Sequence, residues 1–200
     1  MLEEKMIQAA EEEFTLEDLT AEGEAVSGIK CVRTDHERLT LSKCRFDGCD
    51  FTGASFTDCT FENCRFTDCR FEKAYFRNVR MRCCKLDGCV IKNAVLREFT
   101  ASDSSFCYCD LSEALFDGAR LTDCEMREAF LSQCRLKKPV LRGVNLTRAD
   151  FFGTSLNGID LSDCNIDGIM LSDSFSELKG AKVSTVQAVD LALLLGVKIV

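Results

Sequence analysis

Fourteen cysteines and a single histidine are the residues of this chain whose chemistry could go beyond packing. Thiolates and imidazoles hold zinc, and a cysteine beside a histidine makes a nucleophile, so their spacing decides what they can do. No Cys-x-x-Cys pair occurs. Eleven cysteines fall instead on one five-residue frame: Cys44, Cys49, Cys59, Cys64, Cys69, Cys84, Cys89, Cys109, Cys124, Cys134 and Cys164. If the chain coils every 20 residues, Cys44, Cys64 and Cys84 stack as one ladder and Cys49, Cys69, Cys89 and Cys109 as another. Metal ligands converge tetrahedrally, whereas parallel rows in a dry interior hold thiols that resist ionisation. The cysteines are therefore read as small buried hydrophobes, and no metal or cofactor is expected. Cys83 and Cys107 lie outside the column and are expected to react first with thiol reagents. His36, between Asp35 and Glu37, has no base or thiol partner in the frame and reads as a surface residue. There is no glycine-rich phosphate loop and no Ser-His-Asp arrangement, so an enzyme is not expected.

The element that positions these residues is a strict repeat. Counting in fives from Leu41 through Phe46, Phe51 and Phe56 to Ile166 and Leu171 gives 27 consecutive positions, all apolar, of which only Ala101 is small. Two residues before each lies a second apolar column, opening with Cys44, Cys49, Ala54, Cys59, Cys64, Cys69 and Ala74. A period of five fits neither a helix nor a plain alternating strand, but it fits a coil that turns a corner every five residues. Both columns then point to the axis and the other three residues of each quintet face water. At Phe99 and Ala101 the large and small positions exchange sizes, which suggests a lumen filled to fixed capacity. Pro139 falls in the small column and should sit at a corner or at an unpaired position.

The bias of the composition agrees: 15 phenylalanines, one proline and no tryptophan. The net charge of −8 belongs to residues 1–24, which hold nine acidic groups and one base, while the rest of the chain is balanced. No apolar run reaches the roughly 18 residues that span a bilayer, and the acidic start Met-Leu-Glu-Glu-Lys is unlike a secretory signal. A cytoplasmic protein with reduced thiols, away from membranes, is expected.

Quintets such as Ala-Ser-Phe-Thr-Asp (54–58) and Ala-Asp-Phe-Phe-Gly (149–153) resemble the pentapeptide repeat family, whose consensus is Ala-(Asp/Asn)-Leu-x-x. The resemblance implies an all-β, right-handed quadrilateral β-helix with four quintets per coil. The 27 quintets would stack as about seven coils in a rod roughly 32 Å long, with caps at both ends. The expected organisation is a helix and cap over 1–38, the repeat over 39–173, and a capping or dimerisation helix with a tail over 174–200. Residues 1–13 read as a helix with Leu2, Met6, Ala9 and Ala10 on one stripe. Residues 14–38 lack clean quintets, although Phe14 and Leu19 are five apart in another frame, with strands expected around 25–32. At the far end Ser184 reads as the N-cap of a second helix.

Leu-Lys-Gly-Ala-Lys-Val at 178–183, followed by Gln187, Leu194, Leu195, Gly196 and Val197, resembles the C-terminal end of Qnr-type quinolone-resistance proteins. In that group the helix joins two rods tail to tail. The resemblance implies a homodimer through Val186, Val189, Leu191, Leu193, Leu194 and Leu195, and a rod that imitates duplex DNA toward DNA gyrase or topoisomerase IV, inhibiting it or protecting it from quinolones. Candidate partner-binding carboxylates are Asp50, Asp110, Glu113 and Asp150 on the most acidic face, with Asp103 and Asp117 in an acidic band over 100–128. The competing expectation is a protein-interaction scaffold without a topoisomerase role. Direct nucleic-acid binding through the basic band at Arg77, Arg80, Arg82, Lys85 and Arg97 is not expected, because outward aromatics are few.

Overall fold

A computed structural model describes residues 1–194 and 196–198. Between two terminal helices, α1 (Leu2–Glu11) and α2 (Thr185–Leu194), the chain winds as a right-handed, four-sided β-solenoid. Strands are only two or three residues long, because each ends at a corner. All pairing is parallel, and each residue lies beside the one 20 positions on, as in Phe76 beside Phe56 and Leu96. The first face runs seven strands deep from Leu16–Glu17 to Arg135–Lys137, and the second from Thr20–Glu22 to Val140–Arg142. The third begins with Ala25–Ser27, Arg45–Asp47 and Arg65–Thr67 and continues as single bridges to Asn165. The fourth is single bridges throughout, from Lys30 and Asp50 to Met170.

The corner explains the polar part of each quintet. Except at Asp163 and Asp173, the second residue after each large inward one adopts a left-handed backbone with φ between about 50° and 77°, and ten of the 12 glycines sit there, with many Asp and Asn. Those residue types reach that region at least cost. Inside, rings 20 residues apart stack: Phe46 on Phe66 at 4.8 Å, Phe51 on Phe71 at 5.1 Å, Phe56 on Phe76 at 5.4 Å. Rings five apart in one coil meet edge to face, as Phe46 and Phe51 do at 72°. The four-sided coil thus gives Phe46, Phe51, Phe56, Phe66, Phe71 and Phe76 a stacked partner and an edge-on one.

The coil begins before the boundary expected at residue 38. Leu16, Ala21, Val26, Cys31 and His36 occupy the large inward position, and Leu16 and His36 pair in the ladder. Leu19 belongs to the small column of this same frame, not to another one. The pattern is hidden in the sequence because Ala21, Cys31 and His36 stand where Leu or Phe is the rule, and Glu24 stands in the small column. Glu24 acts instead as a tether for the helix: its carboxylate accepts the Leu2 amide at 2.5 Å and so holds the start of α1. Leu2, Met6 and Ala9 of α1 are buried over the first coil. At the other end, Ser184 and Gln187 form a reciprocal cap on α2, each accepting the other's backbone N–H. Pro139 occupies a corner between the first and second faces, where the equivalent amides of Cys59, Val79, Phe99 and Ala119 make no backbone hydrogen bond. Its missing N–H therefore costs nothing there.

Candidate functional site

Thirteen of the 14 cysteines are buried and none is bonded to another. Their thiols donate to backbone carbonyls of their own coil or the one before, as Cys64 Sγ does to Leu41 O at 3.4 Å and Cys134 Sγ to Leu111 O at 3.1 Å. Ser104 and Thr154 use the same column and bond through hydroxyls to Ser102 O and Leu131 O. Where the column carries a thiol or hydroxyl, that group is thus satisfied by a backbone carbonyl, and elsewhere the column holds alanine and other apolar residues. Burial pushes the thiols of Cys59, Cys89 and Cys124 up to about 11 and those of Cys31 and Cys134 up to about 12. Thiols so hard to ionise are poor nucleophiles and poor metal ligands. Among the described residues no group of three or more His, Cys, Asp and Glu is arranged to hold a metal ion.

The expectation for Cys107 needs correcting. It points outward by its place in the quintet but is only 5% exposed, with its amide on Asp87 at 3.0 Å, the Ser105 hydroxyl 3.5 Å from its sulfur and Arg127 against it. Cys83 is exposed. Treating the folded protein with a maleimide and mapping the adducts is therefore expected to find rapid labelling of Cys83 alone, and the remaining thiols only after denaturation.

His36 is also not a surface residue. It is fully buried, lies 4.8 Å above Phe56 in the place a phenylalanine fills in the next coil, and meets Phe51 edge to face. The Thr34 hydroxyl donates to Cys31 O at 2.9 Å, so His36 Nε2 at 2.8 Å must carry a proton and donate to Thr34. Nδ1 is left a bare acceptor with no partner among the described residues. Burial pushes the imidazole down to about 4.

The six candidate carboxylates do not form one track. Asp50, Asp110 and Asp150 share the fourth face with Glu113 at the corner after it, whereas Asp117 is on the first and Asp103 at the corner after the second. Asp50, Asp110 and Asp150 are half-buried, and each accepts the N–H two residues on, from Thr52, Ser112 and Phe152, at 2.9 to 3.0 Å. Those oxygens tie the turn rather than face a partner. Glu113 pairs with Lys92 and Asp117 with Arg97, each at 3.3 Å. In the basic band Arg82 is bound to Glu62, while Arg77 and Arg80 have no ion pair among the described residues.

The second helix carries a free apolar side. Gln187 anchors it to the last coil by donating from Nε2 to Leu161 O at 2.8 Å and Cys164 O at 2.7 Å, and Leu191 packs on the core. Val186, Val189, Leu193 and Leu194 are exposed, Val186 by 74%. Leu195, also expected in this surface, lies outside the described residues. No helix among the described residues is long and apolar enough to cross a membrane.

A family model described as the pentapeptide repeat region matches residues 54–129, and one described as pentapeptide repeats (8 copies) matches 37–68 and 131–168. No curated protein matches the chain. Among solved structures, full-length QnrB1, a plasmid-mediated fluoroquinolone resistance protein, is 20% identical over 90% of this chain and 100% of its own, with a TM-score of 0.49. HetL, a pentapeptide repeat protein involved in heterocyst differentiation regulation from the cyanobacterium Nostoc sp., is 15% identical over 82% and 89%, with a TM-score of 0.36. Rfr23 from the cyanobacterium Cyanothece is 13% identical over 92% and 100%, with a TM-score of 0.30.

Proposed function

From a chain that belongs to the pentapeptide repeat family, we propose a cytoplasmic, non-enzymatic protein that binds a type II topoisomerase, DNA gyrase or topoisomerase IV, as a tail-to-tail dimer. What carries this reading is the C-terminal segment. Residues 178–197 resemble the joining end of Qnr-type proteins, and α2 is held on the last coil by Gln187 with Val186, Val189, Leu193 and Leu194 turned outward. A contiguous exposed apolar stripe is costly in water and is relieved by a second copy of itself across a twofold axis.

Two measurements test the two halves. By light scattering the chain is expected to weigh twice 22.3 kDa, and Val189→Arg with Leu193→Arg to weigh 22.3 kDa with an unchanged β-rich spectrum. On a sensor carrying gyrase subunits, the unaltered chain is expected to bind with low-micromolar affinity, and absence of binding to both subunits removes the topoisomerase half.

A specific observation favours the second reading, an interaction scaffold with no topoisomerase role. Duplex DNA carries a charge every ~1.7 Å of axis. Along the fourth face Asp50 and Asp150 are five coils, or roughly 24 Å, apart, and the carboxylates between them serve turns or ion pairs. Imitation of phosphate by this face is sparse, so binding would rest on the shape of the rod and its acidic first coil.

A further inference from the structure

The solenoid is not paired all the way round. In a regular coil the residue before each large inward one donates its N–H to the coil before, as Arg135 does to Ala114 O and Val140 to Ala119 O, both at 2.9 Å. The corner residue donates to the coil after, as Gly118 does to Lys137 O at 2.9 Å and Asp123 to Arg142 O at 2.8 Å. One coil later the same bonds are missing. Among the described residues the amides of Lys138, Gly143, Ser155 and Asp160 reach no backbone or side-chain acceptor, and the carbonyls of Cys134, Pro139, Asn157 and Ser162 receive no donor. On the third and fourth faces these two coils stay joined, by bridges from Asn145 to Asn165 and Asp150 to Met170. The far side of the later coil is paired too, with residues after the repeat: Leu156 N to Glu177 O at 2.9 Å and Leu161 N to Lys182 O at 2.8 Å.

The result is a wedge, shut on two faces and open on the first two, with its mouth at the Pro139 corner. It contains a groove of about 410 Å³ lined by Pro139, Leu141, Arg142, Gly158, Asp160 and Asp163 among others. Leu136 and Leu141, at positions that are buried in the preceding coils, are partly exposed there.

We propose that this wedge is a docking slot for an extended, acidic segment of a partner protein, which enters as an added β-strand. Two edges with free donors and acceptors at ladder spacing are what strand addition uses, and main-chain bonds supply the affinity. An inward side chain of the docked strand covers Leu136 and Leu141, so it is apolar. Charge selects the outward ones. On the first face the earlier edge presents Arg135, Lys137 and Lys138, all exposed and without an ion pair among the described residues, while the later edge presents neutral Ser155, Asn157 and Gly158. An outward Glu or Asp on the docked strand sits among cations with no opposing carboxylate. On the second face Arg142 is balanced by Asp160 and Asp163, so the acidic positions belong to the first face. This inference stands apart from the topoisomerase reading and survives its failure.

The test uses the full chain and a fluorescein-labelled peptide of alternating Glu and Val, with an alternating Lys and Val peptide as its opposite. Fluorescence anisotropy is expected to show the acidic peptide binding at least tenfold more tightly than the basic one. Lys137→Glu with Lys138→Glu is expected to weaken it at least tenfold, and N-methylation of alternate peptide amides to abolish it. Hydrogen exchange supplies the structural check: the amides of Lys138, Gly143, Ser155 and Asp160 exchange quickly in the free protein and are protected in the complex. Protection of those four amides in the free protein means that the wedge is closed in solution and overturns the proposal. So does equal binding of the two peptides, absence of binding, or affinity indifferent to N-methylation.

Discussion

Lowering the pH from 7 to 4.5 is expected to cost this protein about 2.5 kcal/mol of stability through one residue, and His36→Phe is expected to abolish that loss. His36 is neutral at the start of the second coil, with its imidazole pushed down to about 4 by burial from an ordinary 6.5. A group whose folded value is depressed binds its proton more readily in the unfolded chain. Its contribution is therefore intact above pH 6.5 and is lost as pH falls from there toward 4. A charged imidazole in this place would stack on Phe56, with one N–H on Thr34 and a second, on Nδ1, aimed at no acceptor. Phenylalanine takes the same place in the column, as Phe56 does one coil on, and carries no proton. Thr34 keeps its bond to Cys31 O in the variant. Urea titrations at intervals from pH 7 to 4.5 check this: the unaltered chain's midpoint falls steadily, and the variant's is flat down to pH 5, where surface carboxylates start to titrate. Parallel curves for the two proteins would contradict the burial of His36.

The second large effect concerns the exchanged pair at Phe99 and Ala101. Phe99 fills the position that holds a smaller residue in every other coil, from Ala119 and Cys59 to Leu39 and Ile159, meets Phe76 and Phe106 edge to face at 5.9 and 6.5 Å, and is 2% exposed. Ala101, 4% exposed, takes the place of a large residue. Phe99→Ala leaves two small residues in one quintet and is expected to cost about 3 to 5 kcal/mol, the range for emptying a phenylalanine site in a rigid core. Ala101→Phe alone puts two rings into the same space and is expected to cost about 1 to 3 kcal/mol. Combined, they restore the common order of sizes, and the pair is expected to be at least about 2 kcal/mol more stable than the sum of the singles predicts. Additive losses in denaturant unfolding would mean that the two positions do not share one volume.

How far the sequence reveals this molecule depends on which interactions set each part. From Leu41 onward the coil is legible because the same large side chain recurs in every quintet and the stacked rings demand it. The first coils are not, because the same backbone there carries Ala21, Cys31 and His36, whose polarity and size break the pattern while their geometry keeps it. Cys107 misleads for the opposite reason: its position in the quintet is outward, and the cover over it comes from Asp87 and Arg127 in neighbouring coils. The carboxylates of Asp50, Asp110 and Asp150 look alike in sequence whether they face a partner or tie a turn, and only the N–H two residues on separates the cases. The wedge is the least legible feature. Quintets continue through it unbroken, since their pattern records what points inward and not whether one coil bonds to the next. Pro139, the only proline, is the one residue that marks it.

If this filled rod acts from its surface on a type II topoisomerase, as proposed, the enzyme's turnover of DNA responds to it. The most direct measurement is a supercoiling assay with bacterial DNA gyrase, titrating the protein with and without ciprofloxacin. Inhibition of supercoiling, or its rescue in the presence of the drug, at low-micromolar protein is the predicted result, and the Val189→Arg, Leu193→Arg monomer should be weaker. Gyrase activity unchanged in both arms, with the protein folded and dimeric, would contradict the claim and leave the scaffold reading in its place.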